Sequence, residues 1–144
     1  MQISTKGRYA LQMMLDIALH NTGEYIVLQD IADRQGITVK YLEKIASILS
    51  REGFVQSARG KSGGYRLSRR PHEYRLGDIL RTMAGDLSPV PPKDYPAEHG
   101  DQAATAISLF WQDFARVIDK FVDSRTLEDL CETCATLNGG DYSI

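Results

Sequence analysis

Residues 36–68, GITVKYLEKIASILSREGFVQSARGKSGGYRLS, constrain the fold more than any other stretch of the chain. Thr38 stands where an N-cap hydroxyl accepts from an orphan amide of a first helical turn. Leu42, Ile45, Ala46 and Leu49 then repeat with the spacing of one buried helix face. Lys40, Tyr41, Glu43, Lys44, Ser47 and Arg51 share the opposite face. Gly53 fits the position after a helix, where a positive φ is needed. Residues 54–58 and 65–68 read as two strands, and the turn between them, Arg59 to Gly64, carries the cations Arg59 and Lys61. Upstream, Leu28, Ile31 and Ala32 mark a short helix that stops at Gly36.

This order predicts a helix-turn-helix followed by a wing, in a mainly α fold whose only β structure is a small hairpin. In such modules the second helix enters the major groove of DNA and a basic arm or wing reaches the adjacent minor groove. Narrow minor grooves concentrate negative potential, which is the role assigned to Arg59. The bland alternative is a helix-loop-hairpin with solvated charges. The charge distribution favours the first reading. Residues 1–81 hold 13 Lys and Arg against 8 Asp and Glu, whereas residues 82–144 hold 4 against 11. The formal net charge of −2 therefore conceals a basic first part and an acidic second part.

The flanking segments complete the expected organisation. A first helix starts after Ser4 or Thr5 and runs to about His20, with Lys6 and Arg8 near its start. Cations there oppose the helix dipole, so they are read either as contacts to DNA phosphates or as a solvated end. Residues 23–27 read as a loop with a short extended stretch, and 76–84 as a fourth short helix ending at Gly85. Four prolines between 86 and 101 make that stretch a loop. A long amphipathic helix follows, from about Gln102 to Asp123, with Ile107, Phe110, Trp111, Phe114, Val117, Ile118 and Phe121 on its stripe. A helix of that length spans roughly 30 Å and projects beyond a small head. Its stripe is assigned to a twofold-related copy, against the alternative that it folds back on its own head. A last helix begins near Thr126, with Asp129 placed for a capping box, and ends near Leu137. The expected units are a DNA-binding head (1–84), a loop (85–101), a helical dimerisation region (102–137) and a tail (138–144).

Composition excludes several classes. Hydrophobic residues make up 42% of the 144, enough for a packed core. The first twenty residues show no membrane-length apolar run and no signal-peptide pattern, which leaves the cytoplasm and no membrane partner as the expectation. Two cysteines, Cys131 and Cys134, are too few and too close for a secreted disulfide framework. His20, His72 and His99 sit in no nucleophile or metal motif, so no enzymatic activity is expected.

MQISTKGRYAL at the start, GITVKYLEKI in the second helix, RGKSGGYRL in the wing and SRTLEDL near the end together resemble the Rrf2 (BadM-type) family of bacterial winged-helix regulators, in the family's order and over about residues 1–130. The resemblance implies a dimeric repressor that binds an operator duplex and has an all-helical dimerisation region. It places base contacts on Thr38, Lys40, Glu43 and Lys44, and a minor-groove contact on Arg59. Glu43 has the chemistry to accept from a cytosine amino group and Lys44 to donate to guanine. The full candidate DNA-facing set is Ser4, Lys6, Arg8, Thr38, Lys40, Tyr41, Glu43, Lys44, Arg51, Ser57, Arg59, Gly60, Lys61, Gly64 and Tyr65.

One departure from the family pattern matters. Cluster-binding members carry three cysteines and a further ligand in the loop before the long helix. Here that loop reads GDLSPVPPKDYPAEHGDQ, without cysteine and with His99 as the one residue of soft-metal-ligand type, read as a solvated histidine among acids. Thiolates hold iron–sulfur clusters, so neither a cluster nor any other cofactor is expected. GDLSPV instead resembles the family's clusterless cysteine-metabolism repressor, a type that acts with O-acetylserine thiol-lyase. That enzyme also binds the tail of serine acetyltransferase, which ends in isoleucine. The segment Gly139-Gly140 followed by Asp141, Tyr142, Ser143 and Ile144 resembles such a tail, against the alternative of an ordinary frayed terminus. A second candidate sensor is the pair Cys131 and Cys134. It is read as two plain thiols, as a redox-active pair if one thiol is acidified at a helix terminus, or as half of a metal site shared across a dimer.

Overall fold

A computed structural model describes residues 2–97 and 100–139. Six helices and one hairpin follow in the order α1 (Thr5–Leu19), α2 (Leu28–Gln35), α3 (Val39–Arg51), β1 (Val55–Ala58), β2 (Gly64–Leu67), α4 (Leu76–Ala84), α5 (Gln102–Asp123) and α6 (Leu127–Asn138). Short 3₁₀ turns occupy Pro71–Glu73 and Pro92–Asp94. The fold class is as expected, mainly helical with a two-stranded antiparallel wing.

Local chemistry sets most of the boundaries. Ser4 caps α1, its hydroxyl accepting from the Gly7 amide at 3.1 Å. Thr38 caps α3 by accepting from the Tyr41 amide at 3.2 Å. Asp101 caps α5, and Thr126 and Asp129 form the reciprocal capping box at the start of α6. The hairpin is one residue shorter at its first end than expected. Phe54 still serves α3, its amide donating to the Leu49 carbonyl at 2.8 Å, so the strand begins at Val55. At the other end Ser68 leaves the strand, and its amide donates to the Tyr74 hydroxyl at 3.0 Å. The expected extended stretch before α2 reduces to a single bridge, in which Ile26 and Tyr65 exchange backbone hydrogen bonds of 2.8 and 2.9 Å.

The core lies where α1, α2, α3 and α4 meet under the hairpin. Met13, Met14, Ile17, Ile31, Leu42, Ile45, Leu49, Tyr74 and Ile79 are fully buried there. Burying side chains of this size contributes about 1.5–3 kcal/mol each, before the entropy of ordering is subtracted. Leu127, the first residue of α6, is fully buried in the same cluster. The sequence divided the chain between a head and a helical region starting at residue 102, but the head's core runs on into α6. The connection is a backbone one: the Leu127 amide donates to the Tyr74 carbonyl and the Leu76 amide to the Arg125 carbonyl, both at 2.9 Å. The long helix therefore does not simply project from the head, because the chain that follows it is stitched back to the start of α4.

Candidate nucleic-acid interface

The start of α3 presents Thr38, Lys40, Glu43 and Lys44 to solvent, and Ser47 and Arg51 continue the same exposed face. The opposite stripe, Leu42, Ile45, Ala46 and Leu49, has no exposure at all. The helix is thus anchored on one side and free on the other, as an element that enters a groove must be. Tyr41 belongs less to the free side than its position implied: its ring meets Tyr9 of α1 edge-on, with centroids 5.5 Å apart, and is half-buried.

The wing lies beside this helix and is held in place by α2's approach loop. Arg59, Gly60 and Lys61 are exposed at its tip, and Ser57 is exposed on β1. Gly64 has a packing duty of its own. Its φ is +143°, and a Cβ there would lie 2.1 Å from the Ile26 carbonyl oxygen, so only glycine lets the loop and the wing touch. Tyr65 is half-buried and carries the bridge to Ile26. Arg66 then braces the wing from its flank. Its guanidinium donates to the Gln56 side chain at 3.0 Å and to the Gly23 carbonyl at 3.1 Å, and it lies 4.4 Å from the Tyr25 ring centroid. The base of the wing is pinned by Tyr74. Its hydroxyl donates to the Phe54 carbonyl at 2.7 Å and accepts from the Ser68 and Arg69 amides at 3.0 Å each. Burial pushes the Tyr74 phenol above its ordinary pKa, so it stays protonated and able to donate.

Ser4, Lys6 and Arg8 mark the start of α1 and are all exposed. The Ser4 hydroxyl is engaged as the cap, and Arg8 donates to the Thr5 hydroxyl at 3.2 Å. Behind them α1 is locked to α2 by a buried carboxylate. Asp16, 1% exposed, accepts from Arg34 at 2.7 and 2.9 Å and from the Gln35 side chain at 2.9 Å. A charge buried that deeply needs such partners. Sequence reading missed this network, although an aspartate inside the apolar run MMLDIAL was the available signal.

The long helix presents its stripe to solvent. Ile107, Phe110, Phe114, Val117 and Phe121 are 48, 55, 39, 67 and 57% exposed, and Leu109, absent from the expected stripe, is 49% exposed. Trp111 and Ile118 are half-buried. Phe110, Trp111 and Phe114 pack on one another with centroids 5.2 to 6.5 Å apart. Toward the end of the helix, Ile118, Phe121 and Val122 join Ile3, Leu80 and Leu87 around an apolar hollow of about 400 Å³.

A family model described as an iron-dependent transcriptional regulator, Rrf2, matches residues 3–133. The chain belongs to the Rrf2 family of transcriptional regulators. The protein rrf2 of Nitratidesulfovibrio vulgaris is 32% identical over 130 residues, covering 90% of this chain and 87% of that one. The regulator IscR of Aliivibrio salmonicida is 39% identical over 132 residues, covering 90% and 77%. The solved structure of CymR, the global cysteine regulator of B. subtilis, superposes with a TM-score of 0.78 at 34% identity, covering 92% and 98%. IscR is named a transcriptional regulator and CymR a global cysteine regulator, neither of them an enzyme. Among the described residues no helix is long and apolar enough to cross a membrane.

The iron dependence in the family's description finds no matching donors here. The loop between α4 and α5 contains no cysteine, and among the described residues no group of three or more His, Cys, Asp or Glu is placed to hold a metal. His99 lies outside the described residues. Both cysteines sit on α6, where they are free and half-buried. A thiolate-held cluster does not fit this donor set. Nor does α6 acidify Cys131. Burial, together with Cys134, Glu128 and Glu132, pushes its thiol above the ordinary range, the reverse of what a reactive redox cysteine requires. Asp141, Tyr142, Ser143 and Ile144, the segment read as an enzyme ligand, lie outside the described residues.

Proposed function

We propose that this Rrf2-family regulator is a homodimeric repressor of genes for cysteine or sulfur metabolism. The observation that carries the dimer is the α5 stripe, where five large apolar side chains are 39 to 67% exposed along one helix face. Contiguous apolar patches of this kind mark protein interfaces. A symmetric partner would also pair two copies of α3 and the wing, as a palindromic operator requires. In each half-site Thr38, Lys40, Glu43 and Lys44 read base edges, Arg59 enters the minor groove and Lys6 with Arg8 contacts phosphates.

The metabolic assignment rests on two supports. The likeness to the global cysteine regulator of B. subtilis extends over 92% of the chain, and the loop that carries cluster ligands in other members has no cysteine. In this scheme O-acetylserine thiol-lyase grips the Asp141–Ile144 segment when O-acetylserine is scarce. O-acetylserine then competes for that site, and the complex releases the operator. A redox role for Cys131 and Cys134 has less in its favour, given the raised thiol of Cys131.

Calorimetry of O-acetylserine thiol-lyase with the intact chain and with a version lacking Ile144 tests the scheme. Micromolar or tighter binding that disappears without Ile144 is expected. No binding by the intact chain removes the enzyme partner and leaves a DNA-binding regulator with another effector.

A further inference from the structure

The joint between the head and α5 is built more closely than a connection requires. Arg81, in the last turn of α4, spreads its guanidinium over two carboxylates one turn apart on α5. One terminal nitrogen donates to Asp123 at 2.8 Å; the other donates to Asp119 at 2.8 Å and to the second oxygen of Asp123 at 3.0 Å. Asp78 adds a third carboxylate at 3.8 Å. The hydrogen bonds from Arg81 hold the Asp123 carboxyl below its usual pKa. One turn earlier on α4, Gly77 is where the two helices touch. A Cβ there would fall 2.1 Å from the Asp123 carboxylate and 2.8 Å from Val122. Just beyond α5, the Arg75–Thr126 bridge fixes the chain again.

A partly exposed ion pair contributes little to stability, so energy alone gives little reason for this arrangement. Geometry gives a better one. A planar fork bonded to two carboxylates fixes both the crossing angle of two helices and the rotation of one about its axis, which apolar contact does not. The lever is long. Over the 22 residues of α5, at 1.5 Å per residue, a rotation of roughly 10° at the joint moves the far end by about 6 Å. That is close to two base pairs at about 3.4 Å each.

We infer that Arg81, bridging Asp119 and Asp123 across the Gly77 contact, is a positioning residue that sets the separation of the two recognition helices and hence the half-site spacing the protein accepts. The inference rests on the dimer proposed above. In it Arg81 touches no DNA; it specifies an operator by holding the angle between the part that reads bases and the part that pairs.

Selection from random duplexes with the wild-type protein supplies the operator. Affinities are then compared for that duplex and for versions with one base pair added to or removed from the centre. Arg81→Lys keeps the charge but cannot span both carboxylates, and Arg81→Ala removes both bonds. Each variant is expected to lose about tenfold of the wild-type preference for the native spacing, the size of one mismatched base pair. Melting temperature and dimer mass, measured alongside, should stay at wild-type values in Arg81→Lys. Arg59→Ala serves as the contrast, lowering affinity for all three duplexes together and leaving their ratio intact. An Arg81→Lys protein that folds, dimerises and keeps the wild-type ratio overturns the assignment. A selected site with no paired half-sites overturns the dimer beneath it, and the inference with it.

Discussion

Helices α3 and α5 carry the same kind of sequence pattern and meet opposite fates. In α3 the periodic residues Leu42, Ile45, Ala46 and Leu49 are wholly buried against α1 and α2. In α5 the equally regular Ile107, Phe110, Phe114, Val117 and Phe121 stand in solvent. An apolar stripe states that a face must be covered. It does not state by what, because the hydrophobic effect is non-directional and blind to chain identity. The head is therefore complete within one chain, whereas the second part leaves an apolar face exposed.

That comparison can be broken most forcefully in the head. Leu42→Ala should cost about 2–5 kcal/mol of unfolding free energy, through lost transfer energy and a residual cavity. A denaturant melt that moves by much less would mean that α3 is not anchored as described. Next in size is Tyr74→Phe, which removes the hydroxyl's bonds to the Phe54 carbonyl and to the Ser68 and Arg69 amides and leaves the Ser68 amide and the Phe54 carbonyl only their longer 3.4 Å contact with each other. A loss of about 1–3 kcal/mol is expected, measured the same way.

On α5 the expected effect on the monomer is small and the effect on assembly large. Phe110→Asp combined with Phe121→Asp should cost the isolated chain less unfolding free energy than Leu42→Ala does, while sedimentation shows only monomer. A double variant that stays dimeric would place the interface elsewhere. The smallest effect concerns the joint between the two parts. Asp123 has its pKa depressed by Arg81. Its contribution to stability is therefore present above the unfolded carboxylate value of about 3.9 and is lost as pH falls through the lower folded value. The stability gap between wild type and Asp123→Asn should thus be open at neutral pH and close below about pH 4, in thermal melts across that range. A gap independent of pH would mean that the carboxylate charge is not what Arg81 holds.

Much of this fold was legible because its signals are local. Ser4, Thr38 and the Thr126–Asp129 pair announce helix starts within four residues of themselves, and Gly36 and Gly85 announce ends. The exposed cations of α3 and of the wing could be read for the same reason. What escaped depends on partners distant in sequence. Asp16 finds Arg34 18 residues away, Arg66 finds Gly23 43 away, and Arg81 finds Asp119 and Asp123 38 and 42 away. Each of these residues has an ordinary solvated alternative, and nothing in its own neighbourhood chooses between the two. Gly64 shows the same limit from the other side. It looks like one more flexible residue of a glycine-rich turn, but its role is set by the Ile26 carbonyl it lets come close.

The cluster of Phe110, Trp111 and Phe114 has an optical consequence. The chain has one tryptophan, and it sits half-buried among those rings on the helix face proposed above to pair. Excited where tyrosine does not absorb, the protein emits from that cluster alone. In the proposed dimer a blue shift on raising the concentration tracks the pairing of that face, and the seven tyrosines stay silent. Assembly can thus be followed in one cuvette, with no dye attached and no cysteine added.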